Sequence, residues 1–551
     1  FSFGEEHNYY LPLNGPLNRE AALDGIRPYM ERLIWVGWNA SYDALVARNA
    51  GLPLRAAAGD GQCAAMVLQR KSRRLKDTTY ELYEYRMETF KELIQEFGVK
   101  LISEVPLVRA AKYCSGDAYF GLRATKDLEG RLDSETSRQL YFEIEMPVHD
   151  ILIRMTEVGL PLDVAGVEKL KEKYDEKLDT ITQAIRDEVG DQEFNPNADR
   201  QIARVLFDEL GLPVQRLTPT KQRSTDEMTL LKLKSQAPYL ITLLLQWKHY
   251  DKIRGTYLIP LLKKHRNGRL QILWKQYRTS TGRLASEDPN AQNIPLDLRQ
   301  FIAGNLAVAD YSQLEMRIAG WLSGEQRLVD VFRRGEDVHD LTCQLIFGLK
   351  PGESKERPAI RVAAKAVNFA GKLYGAWGAK VQELVEREAL GNPELDIRIP
   401  TIDEANGWIK EDQKAYPDFQ KWRRWLIDST RERGYSLTAY GRARVLPDIT
   451  SQDPERRSAA EREAVSLAIQ GTAADLCKMA MLRVDVIPGG VIIIQNHDEI
   501  VSEVLLETPG EQMEYALTMG KEMELGQPLV GKFAVPLVVD IGVGDNWDQA
   551  H

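Results

Sequence analysis

Cysteine is scarce. The 551-residue chain has four, at Cys63, Cys114, Cys343 and Cys477, with no Cys-x-x-Cys pair and no second candidate ligand beside any of them. That spacing argues against a disulfide framework and a thiolate metal site, and reads as reduced, buried thiols in a reducing compartment. No apolar run reaches the roughly 18 residues that a membrane-spanning helix requires, so no membrane partner is expected. The opening FSFGEEHNYY has neither a basic segment nor a long apolar one, so no secretory signal is expected and a cytoplasmic setting is. It also lacks an initiator Met, and the chain is expected to begin inside a longer protein. Excess positive charge is missing too. With 72 Lys and Arg against 81 Asp and Glu, the net charge is −9. This argues against a simple basic coat for nucleic acid. It leaves room for an enzyme of nucleic acid, because phosphate binding needs a local basic surface and not a basic total. There is no internal repeat and no low-complexity linker.

What is present is ordinary globular composition, 43% hydrophobic and 28% charged, in a chain too long for one core, so two to four domains are expected. Residues 1–150 read as mixed α/β, with a short apolar strand from Leu33 to Val36, a turn, and a helix opening at Asp43 to Val46. From Val164 to Val189 the residues Val167, Leu170, Tyr174, Leu178, Ile181, Ile185 and Val189 recur at steps of three and four, which predicts a long amphipathic helix suited to a projecting subdomain. A basic helical stretch follows, with Trp247, Lys248, His249, Tyr250, Lys252 and Arg254. It reads either as a solvated face or as a grip on duplex phosphates. Leu306 to Ala309 form a buried-strand pattern ending at Asp310. Val491 to Ile494 form another, running into Gln495, Asn496, His497, Asp498 and Glu499, after which Val501, Val504 and Leu505 continue in β-like fashion. A carboxylate at one strand end and two at a turn between other strands is a way for a sheet to present acids to metal ions.

The chemistry open to such acids is in-line attack of a 3′-hydroxyl on an α-phosphorus. Two Mg²⁺ ions, roughly 3.5–4 Å apart, stabilise the attacking and leaving oxygens in such reactions. Mg²⁺ takes a few carboxylates plus water and substrate phosphates. Asp310 and Asp498 fit that requirement, although a lone Asp after a strand also serves as a turn or cap residue. Arg361, Lys365 and Phe369 recur every fourth residue and share one helix face. They read as a phosphate clamp with an aromatic that stacks on a base, or as a solvated basic face with one core Phe.

These segments, taken together and in order, resemble the family-A DNA polymerases, from about residue 30 to the terminus. Asp310 through Arg317 is similar to motif A, Arg361 through Tyr374 and Gly375 to motif B, and His497-Asp498-Glu499 to motif C. Thr281 to Ser286, Asp288 to Pro295, Gly441-Arg442, Gln470 to Asp475 and the final Gly544 to His551 match as well, so the carboxyl end is expected to be the native one. The resemblance implies an α/β multidomain chain: an RNase H-like exonuclease-type domain at 1–150, then a right-hand polymerase domain at 151–551. Its thumb would span about 160–275 and its palm and fingers about 276–551. It implies primer-template DNA and dNTPs as partners, accessory replication proteins as further ones, a monomer, and two Mg²⁺ ions for which Mn²⁺ substitutes. Asp310 and Asp498 would bind metal with the Tyr311 carbonyl assisting. Lys365 would be catalytic and, with Arg361, Phe369, Tyr374, His339 and Gln313, would hold the nucleotide. Glu315 would be the steric gate against a ribose 2′-hydroxyl, braced by Tyr374. Arg283, Gln470 and His497 would touch the minor-groove side of the primer terminus. Asn290, Gln292, Arg442, Lys248, Lys252 and Arg254 would also bind DNA. Ser466 stands where the family often has Asn.

Asn39 and Asp43 resemble the second motif of a 3′–5′ proofreading domain, and Tyr113 and Asp117 its third. The Asp-x-Glu of the first motif is not in this chain, although Phe1 to Gly4 resembles the strand that follows it. The chain as it stands is expected not to proofread, and no 5′-nuclease domain is seen. A single-subunit RNA polymerase is disfavoured by Glu315, a reverse transcriptase by the missing Tyr-x-Asp-Asp, and a non-catalytic clamp by the joint presence of Asp310, Asp498, Arg361 and Lys365. One spacing departs from the family. Phe369 should be followed four residues later by Tyr, but Ala370, Gly371, Lys372 and Leu373 intervene. Five residues advance a helical side chain by about 140° rather than 40°. Either Leu373 takes the place of Tyr374, or the helix absorbs the extra residue as a π-bulge near Gly371; the bulge is the expectation.

Overall fold

The computed structural model describes residues 2–3, 7–13, 18–373, 375–526 and 533–551. Its central sheet has four antiparallel strands, β1 (Ala303–Tyr311), β2 (Gly490–Asn496), β3 (Glu499–Val504) and β4 (Val539–Asn546), in the order β2-β3-β1-β4. Leu306, Ala307, Val308 and Ala309 are consecutive and all buried, so both faces of β1 are covered. Helices Met146–Val158 and Pro509–Glu524 pack on the sheet, the first against β2, the second against β1 and β4. The strands expected at 306–309 and 491–494 are present and longer; Leu505 falls just past the end of β3.

Toward the amino terminus, α1 (Ala40–Asn49), α2 (Gly61–Val67) and α3 (Leu107–Glu129) surround a two-residue parallel pairing of Val36–Gly37 with Gly59–Asp60. The strand expected at Leu33 to Val36 shrinks accordingly. Ile34 is 89% exposed, while Leu33 and Trp35 pack at the edges of two different cores, so the run does not lie on one buried strand. Ser2–Phe3 pairs with His7–Asn8, while Phe1 and Gly4 lie outside the described residues. The boundary expected near 150 falls inside α4 (Met146–Val158), which buries Val148, Ile151, Leu152 and Met155 in the same core as the sheet.

The predicted long helix is α5 (Val164–Val189), capped by the Asp163 side chain at one end and by Gly190, at φ 74°, at the other. Its buried residues, Val167, Leu178, Ile181 and Ile185, are those of the predicted face. It packs on α6 (Pro238–Ile253), and residues from Leu178 to Trp247 form a core of their own. Val167, at the start of α5, belongs instead to the core of the sheet.

After β1 come α7 (Leu314–Ser323), α8 (Val338–Phe347), α9 (Pro358–Ala366) and α10 (Ile402–Ala415). Ala363, Ala366, Val367, Ala370 and Ile409 belong to a further small core. Helix α9 does not continue regularly: Val367–Leu373 form a π-helical segment. The extra residue is thus absorbed as a bulge, with Gly371 so close to Ile409 that a Cβ would lie 3.0 Å from its Cγ1. Tyr374 lies outside the described residues. Among those residues no helix is long and apolar enough to cross a membrane.

Candidate nucleotidyl-transfer site

Asp310 sits at the end of β1, opposite Glu499 on β3 and Asp540 on β4. The turn between β2 and β3 places His497 in the left-handed region, at φ 55°, and carries Asp498 next. The Tyr311 N–H donates to the Asp498 carbonyl at 3.3 Å, which stitches that turn to β1 and brings the two predicted acids together. Glu499 is engaged elsewhere: it accepts from Trp547 Nε1 at 2.6 Å and lies 3.7 Å from Arg299. Asp310 Oδ1 is buried without a hydrogen-bond partner. Desolvation, then the charges of Asp498, Glu499 and Asp540, raise Asp310 to about 7. Desolvation, with Glu315 adding to it, raises Asp498 to about 6. An orphaned carboxylate oxygen and two acids that resist ionising describe a site short of positive charge, and the pair fits divalent cations. Among the described residues no three or more His, Cys, Asp or Glu form a ready-made metal cage, so water and substrate oxygens would have to complete the shell.

Lys365 and Phe369 are exposed and line a cavity of about 940 Å³ beside α9, together with Ala370, Lys380, Arg387 and Arg462. Arg361 pairs with Asp337 and donates to Ser354 Oγ at 3.1 Å. His339 is buried, with its ring 5.6 Å from that of Phe369. Glu315 lies in the first turn of α7, and Arg283 donates to it at 2.5 Å. Gln313 caps that helix at φ 54°, its Oε1 buried without a partner.

The residues expected on DNA separate into groups. His497 and Asn290 are exposed, and Arg283 is half-buried. Gln292 is held by the carbonyls of Leu284 and Gln495, at 3.3 and 3.1 Å. Ser466 Oγ donates to Gln470 Oε1 at 2.9 Å, so the residue that departs from the family orients one that does not. Lys252 is exposed, whereas Lys248 pairs with Asp199 and Arg254 with Asp175. Arg442 corrects the sequence reading. It is 1% exposed and bonded to Asp475, on α11 (Thr472–Val484), and to Glu145. Its guanidinium lies under Gly282, where a Cβ would come within 2.4 Å of Nε. Arg442 supports the loop that carries Arg283 from within the core.

The exonuclease-like residues are not drawn into one acidic centre by the contacts they make. Asn39 Oδ1 accepts from Tyr277 at 2.7 Å. Desolvation by surrounding protein, then Asp60, raises Asp43 to about 7. Asp117 lies 3.5 Å from Lys76, which also donates to the Tyr113 hydroxyl at 2.8 Å. Sequence reasoning missed Lys76, a cation beside a residue expected to bind metal, because nothing in its local pattern sets it apart from a surface lysine. It also missed Glu145 and Lys372, whose partners lie far away in sequence.

A family model described as DNA polymerase family A matches residues 164–549. The thermostable DNA polymerase I of Thermus aquaticus is 37% identical over 78% of this chain and 50% of its own length. DNA polymerase I of Pseudomonas aeruginosa is 33% identical over 98% of this chain and 60% of its own. The chain thus spans about half the length of the curated relatives it matches. A solved structure described as "POL domain of Pol1 from M. smegmatis complex with DNA primer-template and dNTP" superposes with a TM-score of 0.79 at 27% identity, over 97% of this chain and 89% of that one.

Proposed function

Because the chain belongs to DNA polymerase family A, we propose that it extends a primer 3′-hydroxyl with dNTPs under the direction of a template. The observation that carries this reading is the convergence of Asp310 and Asp498 at adjoining ends of β1 and the β2–β3 turn, with Asp310 Oδ1 buried and unpartnered. The two aspartates, assisted by the Tyr311 carbonyl, would hold two divalent ions, Mg²⁺ or in substitution Mn²⁺, which when bound stabilise the entering and leaving oxygens of in-line phosphoryl transfer.

The other residues bind and orient. Lys365 and Arg361, one turn apart on α9, bring positive charge to the triphosphate, and Phe369 offers a face to the base. His339 adds a contact to the phosphates. Glu315, packed at the start of α7 and tied to Arg283, fills the space beside the sugar and links sugar selection to the primer-terminus side of the cleft. Gln313 lies beside it at the nucleotide. Arg283, Gln470 and His497 follow the minor-groove edge, with Asn290 and Gln292 beside them. Lys252, Lys248 and Arg254 lie along the projecting helices and meet duplex phosphates, the latter two after exchanging their carboxylate partners. The active form is a monomer on primer-template DNA, with an exonuclease-like unit at 1–150.

Asp310→Ala and Asp498→Ala test the reading in a primer-extension assay with and without Mg²⁺. Each should abolish extension and leave duplex affinity within a few-fold of the parent. Retention of more than a few per cent of the parent rate by either variant overturns the assignment. Extension with NTPs as readily as with dNTPs would favour an RNA polymerase instead.

A further inference from the structure

The bulge in the finger helix turns Lys372 inward. Its side chain is fully buried, with the ammonium 2.9 Å from Asp412 on α10 and 3.8 Å from the centre of the Tyr416 ring. It donates to Asn368 Oδ1 at 2.7 Å. An ammonium has donors only, so the Asn368 amide cannot flip without setting its NH₂ group against a cation. Asn368 Nδ2 must then be the atom that faces His339, where it lies 3.0 Å from Nδ1. A donor at that distance requires Nδ1 to accept, which leaves the imidazole proton on Nε2. An imidazolium would bring N–H against N–H.

We propose that Lys372 is a positioning residue for nucleotide binding: through the Asn368 amide it holds His339 neutral with its proton on Nε2, a fixed donor for a phosphate oxygen. The charged groups around His339 act in the same direction, save one. Asp337, the N-cap of its own helix, favours the imidazolium, and Arg361, Lys365 and Lys372 from the finger helix oppose it. With burial as the largest cause, His339 falls to about 4. The inference rests on reading His339 as a contact to the triphosphate, and gives the extra residue of the helix a consequence: the contact does not titrate over the pH range in which a free histidine would.

The test is the double variant Lys372→Met/Asp412→Leu, which removes both charges together and leaves neither orphaned in the core. Primer extension is measured from pH 5.5 to 8.5 with dNTP concentration varied, alongside duplex affinity, thermal midpoint and the variant His339→Ala. The parent should show a dNTP KM without an inflection in this range. The double variant should raise KM about threefold or more at pH 8, as a freed amide no longer enforces one hydrogen-bond direction, and should gain an inflection at the acidic end of this range, still below the ordinary histidine value of about 6.5 because burial, Arg361 and Lys365 remain. Its kcat, duplex affinity and thermal midpoint should stay near the parent's. If His339→Ala leaves KM unchanged, the triphosphate reading of His339 is wrong. If His339→Ala raises KM while the double variant keeps the parent's flat profile, the role given to Lys372 is overturned. A parallel loss of kcat, duplex affinity and thermal stability in the double variant overturns it as well.

Discussion

Replacing Arg442 by Met separates two accounts of that residue. Arg442 Nε donates to Asp475 at 2.9 Å, and its Nη2 reaches both Asp475 and Glu145. Lys478 donates to Glu145 at 2.7 Å and Gln276 to its other oxygen at 2.8 Å. All five side chains are buried. Two cations and two anions balance, so deleting one cation leaves a net negative charge out of water. Removal of one partner from a buried pair costs about 3–5 kcal/mol. At roughly 2–4 °C per kcal/mol for a large cooperative unit, the thermal midpoint should fall on the order of 10 °C. Arg442→Met/Glu145→Gln, which leaves Lys478 facing Asp475, should recover part of that loss. Duplex affinity measured against salt concentration completes the assay. A phosphate contact contributes about 0.9 to the slope of log K against log salt, and a buried Arg442 contributes none. An unchanged thermal midpoint with weakened binding and a slope reduced by that amount would refute the buried-cluster account.

Further outcomes follow from the acids, the gate and the amino-terminal unit. Asp310→Asn should raise thermal stability in metal-free buffer. The folded carboxyl lies at about 7 and the unfolded one near 3.9, so the fold holds its proton longer and the parent loses stability as pH rises through that interval. The advantage of the variant should widen between pH 5 and 8, to about 1–4 kcal/mol once partial exposure is allowed for, and shrink in excess Mg²⁺; an advantage independent of pH would count against it. Glu315→Ala should increase ribonucleotide incorporation more than it lowers deoxynucleotide use, and equal discrimination by both enzymes would place the gate elsewhere. Lys365→Ala should slow extension by orders of magnitude, since it deletes a charge aimed at the phosphates, and a rate within tenfold of the parent would contradict that role. A mismatched 3′ end should remain undigested in Mg²⁺. Digestion that disappears in Asp117→Asn would show a working exonuclease.

Sequence alone determined the features written in local pattern. The spacing of Val167, Leu178, Ile181 and Ile185 specifies the buried face of α5, because a helix repeats every 3.6 residues wherever it packs. Four apolar residues before Asp310 specify a strand covered on both faces. The five-residue step after Phe369 pointed to an irregular helix, since five residues do not return to the same face of a regular one, and the π-helical segment lies there. The tertiary structure decided what depends on partners distant in sequence. Whether Arg442 meets phosphate or carboxylate turns on Glu145, nearly 300 residues away, and a basic residue carries no mark of which it will meet. Leu33 to Val36 has strand composition but only a two-residue neighbour to pair with. Lys372 looks like a surface lysine until the bulge points it at Asp412, and Lys76 like another until Asp117 and Tyr113 close around it. Periodicity fixes which face of an element is apolar; the desolvation and pairing of a charge depend on what the rest of the chain brings to it.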